Sequence, residues 1–323
     1  MSRRIVTVCC AVLLAALIPA CSSSLEKTAN GLVKVSYASF AGPSGLPAKF
    51  GKLKGFFAKQ GLDVSFVKAT DPVGLTSSGD ADIADADTTS AVIAAGKSAP
   101  IKIVSSMYRT KGPFYLIGGK GVPNIAQLKG KRIGIGRKGS GMEVTARYIL
   151  KKNGLTENDV TLVPNGSYEA AYASLESGQV DATIIHEPFV SLAESSGTGR
   201  LLAKGWDYLP NFHTGVEISN TNFTSKYPDI VKKFLAAYFE SAKYAKQHES
   251  EFLNYAITQI KVPKAVEQNA LRREDPIWTN IPAVDADMVR QTQEIQKSFG
   301  FQDTTYDTSK IIDNSFLPSG GGK

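Results

Sequence analysis

Three short turns in this 323-residue chain carry the side chains best suited to holding a small molecule. The first, Ser39 to Gly45, offers Phe40 as an apolar wall and Ser44 just ahead of a helix. The second is Asp85-Ala86-Asp87-Thr88-Thr89 and the third Arg137-Lys138-Gly139-Ser140-Gly141. Both put hydroxyls and main-chain amides at the starts of helices, where amides have no intrahelical partner and can donate to an anionic or polar group. Ser, Thr and Asp also cap helices with no ligand involved. Thr88 and Thr89 fit either role; Ser140, with glycine on both sides, fits binding better, and Lys138 adds a cation beside it.

The third turn overlaps Gly134-Ile135-Gly136-Arg137-Lys138-Gly139, which has the spacing of a dinucleotide-binding loop. Such a site wants an acidic residue at the end of the following strand to hold the ribose. Here that strand, 160–163, runs into Pro164-Asn165-Gly166, so no nicotinamide cofactor is implied. No nucleophile elbow, Walker loop or zinc-hydrolase helix is present, and no catalytic residue is assigned. The histidines are His186, His213 and His248, with no His-x-x-x-His spacing, so a metal site on His186, His213 and Glu187 is set aside. An enzyme lacking these motifs stays open as the alternative.

The turns need strands that end where they begin. Leu32 to Tyr37 alternates as a strand, Leu46, Phe50, Leu53 and Phe57 recur at helical spacing up to Gly61, and Leu62 to Val67 alternates again. Strands at 81–84 and 101–104 flank a helix over 88–95. The rhythm then restarts, with a strand ending at 116–119, a helical turn at 125–128 and a strand at 131–135. A helix over 142–153, a strand at 160–163, a helix over 168–176 and a strand at 182–185 follow. This alternation predicts an α/β fold with parallel sheets covered on both faces. Two such sets without a linker predict two intimately joined lobes. From Pro228 the chain turns helical, with Ile230, Val231, Phe234, Leu235, Tyr238, Ala242 and Ala245 on one stripe. Breaks fall near Pro263, Pro276 and Pro282.

The N-terminal segment reads as an export signal: Arg3-Arg4, an apolar run from Ile5 to Ile18, then Pro19-Ala20. The run is 14 residues, short of the roughly 20 that span a bilayer. Ile18-Pro19-Ala20-Cys21 resembles the bacterial lipobox, which predicts lipidation of Cys21 and an anchor in the membrane. Cys9, Cys10 and Cys21 are all the cysteines, so a mature chain has no disulfide and must be held by its core. The formal charge of +7, or +5 without Arg3 and Arg4, is spread along the chain and forms no aromatic-laced basic stripe, which argues against nucleic acid.

Four phrases, in order, resemble the solute-binding proteins for sulfonates, taurine and thiamine precursors, a branch of the type 2 periplasmic-binding fold. They are Gly55-Phe56-Phe57-Ala58-Lys59-Gln60-Gly61-Leu62-Asp63-Val64, Ser78-Gly79-Asp80-Ala81-Asp82-Ile83-Ala84, Leu128-Lys129-Gly130-Lys131-Arg132-Ile133 and Ser177-Gly178-Gln179-Val180-Asp181-Ala182. The resemblance implies two α/β lobes joined by crossings near Pro113 and between about Asn211 and Asn220, closing over a ligand by hinge bending. The expected organisation is a signal peptide over 1–20, a lipidated tether over 21–30 and a first lobe over 31–115. A second lobe over 116–215, a mostly helical completion of the first over 216–318 and a flexible tail over 319–323 follow.

The resemblance also brings His186-Glu187-Pro188-Phe189 to the edge of the second lobe, where polar side chains reach the cleft. His213 is a further candidate, and Glu217, on the predicted return crossing, and Trp206 are weaker ones. Asp87 and Glu187 would together repel a bare anion and suit a ligand carrying an amine or a protonated heterocycle, unless both face solvent or cap helices. The function implied is an exported lipoprotein at the outer side of the cell membrane. It would act as a monomer, binding a small sulfonate-, taurine- or aminopyrimidine-like solute without a cofactor and handing it to the permease subunits of an ABC importer. The alternative is an exported enzyme of related fold acting on a small heterocycle or acid.

Overall fold

The structure, a computed structural model, describes residues 25–40, 43–109 and 111–318. Cys21, the segment 1–20 and the tail 319–323 lie outside the described residues. The strands are β1 (Val33–Phe40), β2 (Leu62–Ala69), β3 (Ile83–Asp87), β4 (Ile101–Ser106), β5 (Tyr115–Gly119), β6 (Arg132–Gly134), β7 (Thr161–Val163), β8 (Ala182–Ile185), β9 (Gly199–Lys204) and β10 (Gly215–Asn220). Around them lie α1 (Leu46–Leu53), α2 (Phe56–Lys59), α3 (Pro72–Ser78), α4 (Thr88–Gly96), α5 (Gly141–Lys152), α6 (Tyr168–Glu176), α7 (Phe189–Ser196) and α8 (Gly205–Tyr208). The helical tail adds α9 (Thr221–Lys226), α10 (Pro228–Gln247), α11 (Glu249–Ile260), α12 (Lys264–Glu274), α13 (Ala286–Ser298) and α14 (Thr308–Ile311).

The strands form two five-stranded sheets, ordered β2-β1-β3-β10-β4 and β7-β6-β8-β5-β9. The sequence predicts all-parallel sheets; each instead contains one antiparallel strand. β10 runs against β3 and β4, and β5 against β8 and β9. The reason is topological. The chain leaves the first sheet at the end of β4 and enters the second at β5, then returns from the end of β9 into β10. A strand entered from the side where its neighbours finish must run against them. β9 and β10 escape the sequence reading because the helices beside them, α7, α8 and α9, are only eight, four and six residues long, too short to show a helical stripe.

The helix expected over Leu46 to Phe57 divides into α1 and α2 at Gly55, whose φ of +79° interrupts the helical path. Both pieces still bury Phe50, Phe56 and Phe57. α10 lays its predicted stripe on the first sheet, where Val231, Phe234, Leu235 and Tyr238 join Tyr37, Val64 and Ile83 in one core. Burying a side chain such as Phe234 contributes about 1.5–3 kcal/mol. The opposite face of that sheet packs Ile103 and Ile218 against Val92 of α4 and Val289 of α13. In the second lobe, Ile133 and Ile184 meet Ile149 of α5 on one face, while Tyr115 and Ile185 meet Val190 of α7 on the other. Each sheet is therefore covered on both sides, as the α/β alternation requires.

The C-terminal helices also touch the second lobe. Arg273 of α12 reaches Glu187 at 3.1 Å and Glu194 at 2.5 Å, and the segment after α13 places Phe299 and Phe301 against Tyr148, Lys151 and Arg147 of α5. The two lobes are thus joined by two crossings and by this lateral contact.

Candidate functional site

Where the carboxyl ends of the strands of both sheets face each other, a cavity of about 140 Å³ lies between the lobes. The first lobe contributes Phe40 at the end of β1, Ala69 at the end of β2 with Thr70 just beyond it, and Ala86 and Asp87 at the end of β3. The second contributes Arg137, Ser140, Gly141 and Met142 before and within α5, Tyr168 at the start of α6, and His186 after β8. The crossings supply Met107, Arg109, Pro113 and Phe114 on the way out and Thr214 and Gly215 on the way back. The walls are therefore largely aromatic and aliphatic, with a few convergent polar groups, the composition expected of a small-molecule site.

Buried polar bonds set the position of these groups. Asp85 accepts from Phe40 N at 2.9 Å and Ser39 Oγ at 2.7 Å, which fixes the turn carrying Phe40 and Ser44. Burial pushes the Asp85 carboxyl up to about 6, against these hydrogen bonds that favour the charged form. Asp87 is the N-cap of α4, accepting from Ser90 N at 2.9 Å, and it also spans the cleft. Its carboxylate accepts from Arg137 Nη2 at 3.3 Å and from Gly141 N, the first amide of α5, at 3.3 Å. Arg109 is buried in an ion pair with Glu274 at 2.8 Å and packs over the rings of Tyr108 and Trp278, while its Nε lacks a partner.

His186 lies in an aromatic slot. Its ring stacks on Tyr168 at 4.1 Å and meets the edge of Phe114 at 4.8 Å. Burial, with the charge of Arg109 as the lesser cause, pushes its pKa down to about 3, so the imidazole is neutral at physiological pH. Its buried Nε2 has no hydrogen-bond partner, and neither has the buried Thr214 Oγ1. Both residues line the cavity.

Of the residues proposed from sequence, Phe40, Ser44, Asp87, Ser140, Gly141 and His186 come together on the cavity wall. Ser140 is the N-cap residue of α5, but its hydroxyl makes no capping bond and instead donates to Arg137 O at 2.7 Å, which holds the turn. The others take different places. Thr88 is buried behind the wall, its Oγ1 3.0 Å from His213 Nδ1, and His213 is held by its own N–H to Thr292 Oγ1 at 2.8 Å. Thr89 is buried in the first turn of α4, off the cavity lining. Lys138 points to solvent. Glu187 is sequestered with Arg273 and Ser191 in the lateral contact between lobes, and burial pushes its pKa up to about 7. Glu217 lies inside the first sheet opposite Asp85, accepting from Tyr37 OH at 3.1 Å. Burial and the neighbouring Asp85 push the Glu217 carboxyl well above its usual range. Trp206 packs edge-on against Tyr115 and is not on the wall.

The expected pair of cleft carboxylates is therefore corrected. Asp87 faces the cavity and Glu187 does not. The glycine pattern has a packing role: a side chain at Gly134 would collide with Asn165 and Thr183, and Gly136, at φ +67°, donates its N–H to Asn165 Oδ1 at 2.9 Å. Of the wall residues missed from sequence, Arg109, Phe114 and Thr214 sit on the two crossings and Tyr168 begins α6. Any chain that passes between lobes beside a cleft must border it, so the predicted positions of the crossings were the available signal.

A family profile described as "NMT1/THI5 like" matches residues 46–252. A Bacillus subtilis (strain 168) protein named as an aliphatic sulfonates-binding protein is 27% identical over 201 residues, covering 61% of this chain and 58% of its own length. A 4-amino-5-hydroxymethyl-2-methylpyrimidine phosphate synthase of Saccharomyces cerevisiae is 27% identical over 222 residues, covering 62% of this chain and 63% of its own. The chain thus spans less than two thirds of either relative. Among solved structures, the alkanesulfonate-binding protein SsuA from Xanthomonas axonopodis pv. citri, bound to MOPS, superposes with a TM-score of 0.74 at 18% identity, over 88% of this chain and 97% of that one. This likeness identifies the fold as that of periplasmic binding proteins.

Proposed function

The chain belongs to the NMT1/THI5-like family, and on that premise we propose that it is the exported, Cys21-anchored solute-binding component of an ABC importer. It acts as a monomer that delivers its solute to the permease subunits. One observation carries this reading: the wall of a single cavity is divided between lobes, with Phe40 and Asp87 on one side and Gly141, Tyr168 and His186 on the other. A solute can touch both sets only when the lobes are together, so its binding free energy favours the closed form. The solute is small and has a compact apolar or ring body with polar substituents. The named relatives suggest two chemistries, a sulfonate and an aminopyrimidine.

The test is a thermal-shift screen over sulfur, nitrogen and vitamin-precursor compounds, with solution scattering on each hit. A ligand at a hundred times its Kd stabilises the native state by about 2.7 kcal/mol. A true solute therefore raises the melting temperature and contracts the radius of gyration; a screen in which no compound does either would falsify the reading. The synthase relatives favour a second reading, an exported enzyme of this fold acting on a small heterocycle or acid. A hit recovered chemically unchanged after prolonged incubation with the protein supports binding, and one that is consumed supports the enzyme.

A further inference from the structure

We propose that Asp87 is a built-in anion occupying the place of a ligand's acidic group, so that the cleft selects solutes without one. This rests on the solute-binding reading and specifies the class of solute. In the second lobe, two groups well suited to receive an acidic headgroup are the Gly141 N–H at the start of the twelve-residue helix α5 and the guanidinium of Arg137. Both are taken by the Asp87 carboxylate, which reaches across from the first lobe to each at 3.3 Å with only 11% of its side chain exposed. The other cation on the wall, Arg109, is matched by Glu274 at 2.8 Å. Among the described lining residues every charged group thus has its counter-charge within the protein.

What remains open is hydrogen bonding: the buried, uncharged His186 Nε2 and Thr214 Oγ1 lack partners, as does the Nε of Arg109, whose charge Glu274 matches. The imidazole lies against the face of Tyr168 and the edge of Phe114, which favours a flat ring beside it. A sulfonate or carboxylate entering here would have to displace Asp87 from its donors or lie against it in a cavity walled largely by apolar groups, where like charges repel more strongly than in water. The class that fits is an uncharged nitrogen heterocycle or aromatic amide.

The test uses a pair of probes of one shape and different charge, benzenesulfonamide and benzenesulfonate, with 4-amino-5-hydroxymethyl-2-methylpyrimidine and ethanesulfonate alongside. Affinities are measured calorimetrically on the wild-type chain, D87A and D87N. D87N keeps an acceptor for Ser90 N and serves if D87A does not fold. Wild type should bind the sulfonamide at least tenfold more tightly than the sulfonate, and both variants should narrow or invert that ratio by tenfold or more. A wild-type preference for the sulfonates, or a ratio unchanged in both variants, overturns the inference and leaves solute binding standing. If no probe binds any of the folded proteins and the wider screen also yields no hit, solute binding itself falls, and this inference with it.

Discussion

Glu187, which joins the lobes beside the cleft, gives a stability signature that follows from its surroundings. Its side chain is 2% exposed, lies 3.1 Å from Arg273 Nη1 and accepts from Ser191 N at 3.0 Å and Ser191 Oγ at 2.8 Å. Burial outweighs these contacts and pushes its pKa from the ordinary 4.5 to about 7. Below pH 4.5 the carboxyl is protonated in both the folded and the unfolded chain. Between about pH 4.5 and 7 the unfolded chain has released a proton that the native state still holds, so native stability falls as pH rises. At ~1.4 kcal/mol per pH unit, the window costs the wild type roughly 3 kcal/mol by pH 8. Glu187→Gln keeps the shape and does not titrate. The stability of E187Q relative to wild type should therefore climb by roughly 3 kcal/mol from pH 4 to pH 8, mostly between 4.5 and 7. Taking the difference between the two proteins largely removes the contributions of Asp85 and Glu217, whose carboxyls are also raised but not by Glu187. Urea unfolding followed by the fluorescence of Trp206 and Trp278 at a series of pH values measures it. A difference that stays flat within ~1 kcal/mol across that range refutes the account of a buried carboxyl held above its usual range.

His186→Phe keeps the aromatic slot and removes the unpartnered Nε2; binding of a hit from the screen should weaken by about tenfold in calorimetry, with no loss of melting temperature. Undiminished affinity would remove His186 from recognition. The gap in affinity between wild type and H186F should be unchanged between pH 5 and 8, because the imidazole stays neutral while Asp85 and Glu187 titrate alike in both proteins, and a gap that widens toward pH 5 would show that its charged form takes part. Gly51→Ala should destabilise the protein by about 1–3 kcal/mol, since the new methyl would overlap the Ser241 side chain and lie 3.2 Å from Ser241 Cα where α1 crosses α10. Ser241→Gly in the same chain should recover part of that loss, and an unfolding midpoint unmoved by G51A would contradict the packing. Lys138→Ala should leave ligand affinity within experimental error of wild type, because Lys138 is exposed and off the cavity wall; a severalfold loss would place that side chain in the site.

Much of the architecture follows from short-range pattern. Strand and helix periodicity places β2, α5, α6 and β8 within a residue or two of where they occur, because side-chain alternation and helical stripes are local consequences of burying one face. The same locality makes Phe40, Asp87, Ser140, Gly141 and His186 legible as wall residues: each ends a strand or lies between a strand and the helix after it, where the turn must come out at the sheet's edge. β10 is different. Its identity as an inner strand depends on the chain returning from another sheet, a contact no neighbouring residue announces.

The direction in which a polar side chain points, and what meets it there, belongs to the tertiary structure. Glu217 and Glu187 read from the sequence as groups able to face a ligand. One instead sits inside a sheet against Tyr37, and the other is held by Arg273, 86 positions further along the chain. The turns carrying Asp87 and Arg137 are visible as sequence. Their pairing across the cleft is set only when the two sheets face each other and bring residues 50 positions apart to 3.3 Å. The residue types determined that a small polar molecule could be held at these turns. The packing of one lobe against the other decided which charges are already matched, because Coulomb attraction depends on separation in space and on burial, and neither is written in residue order.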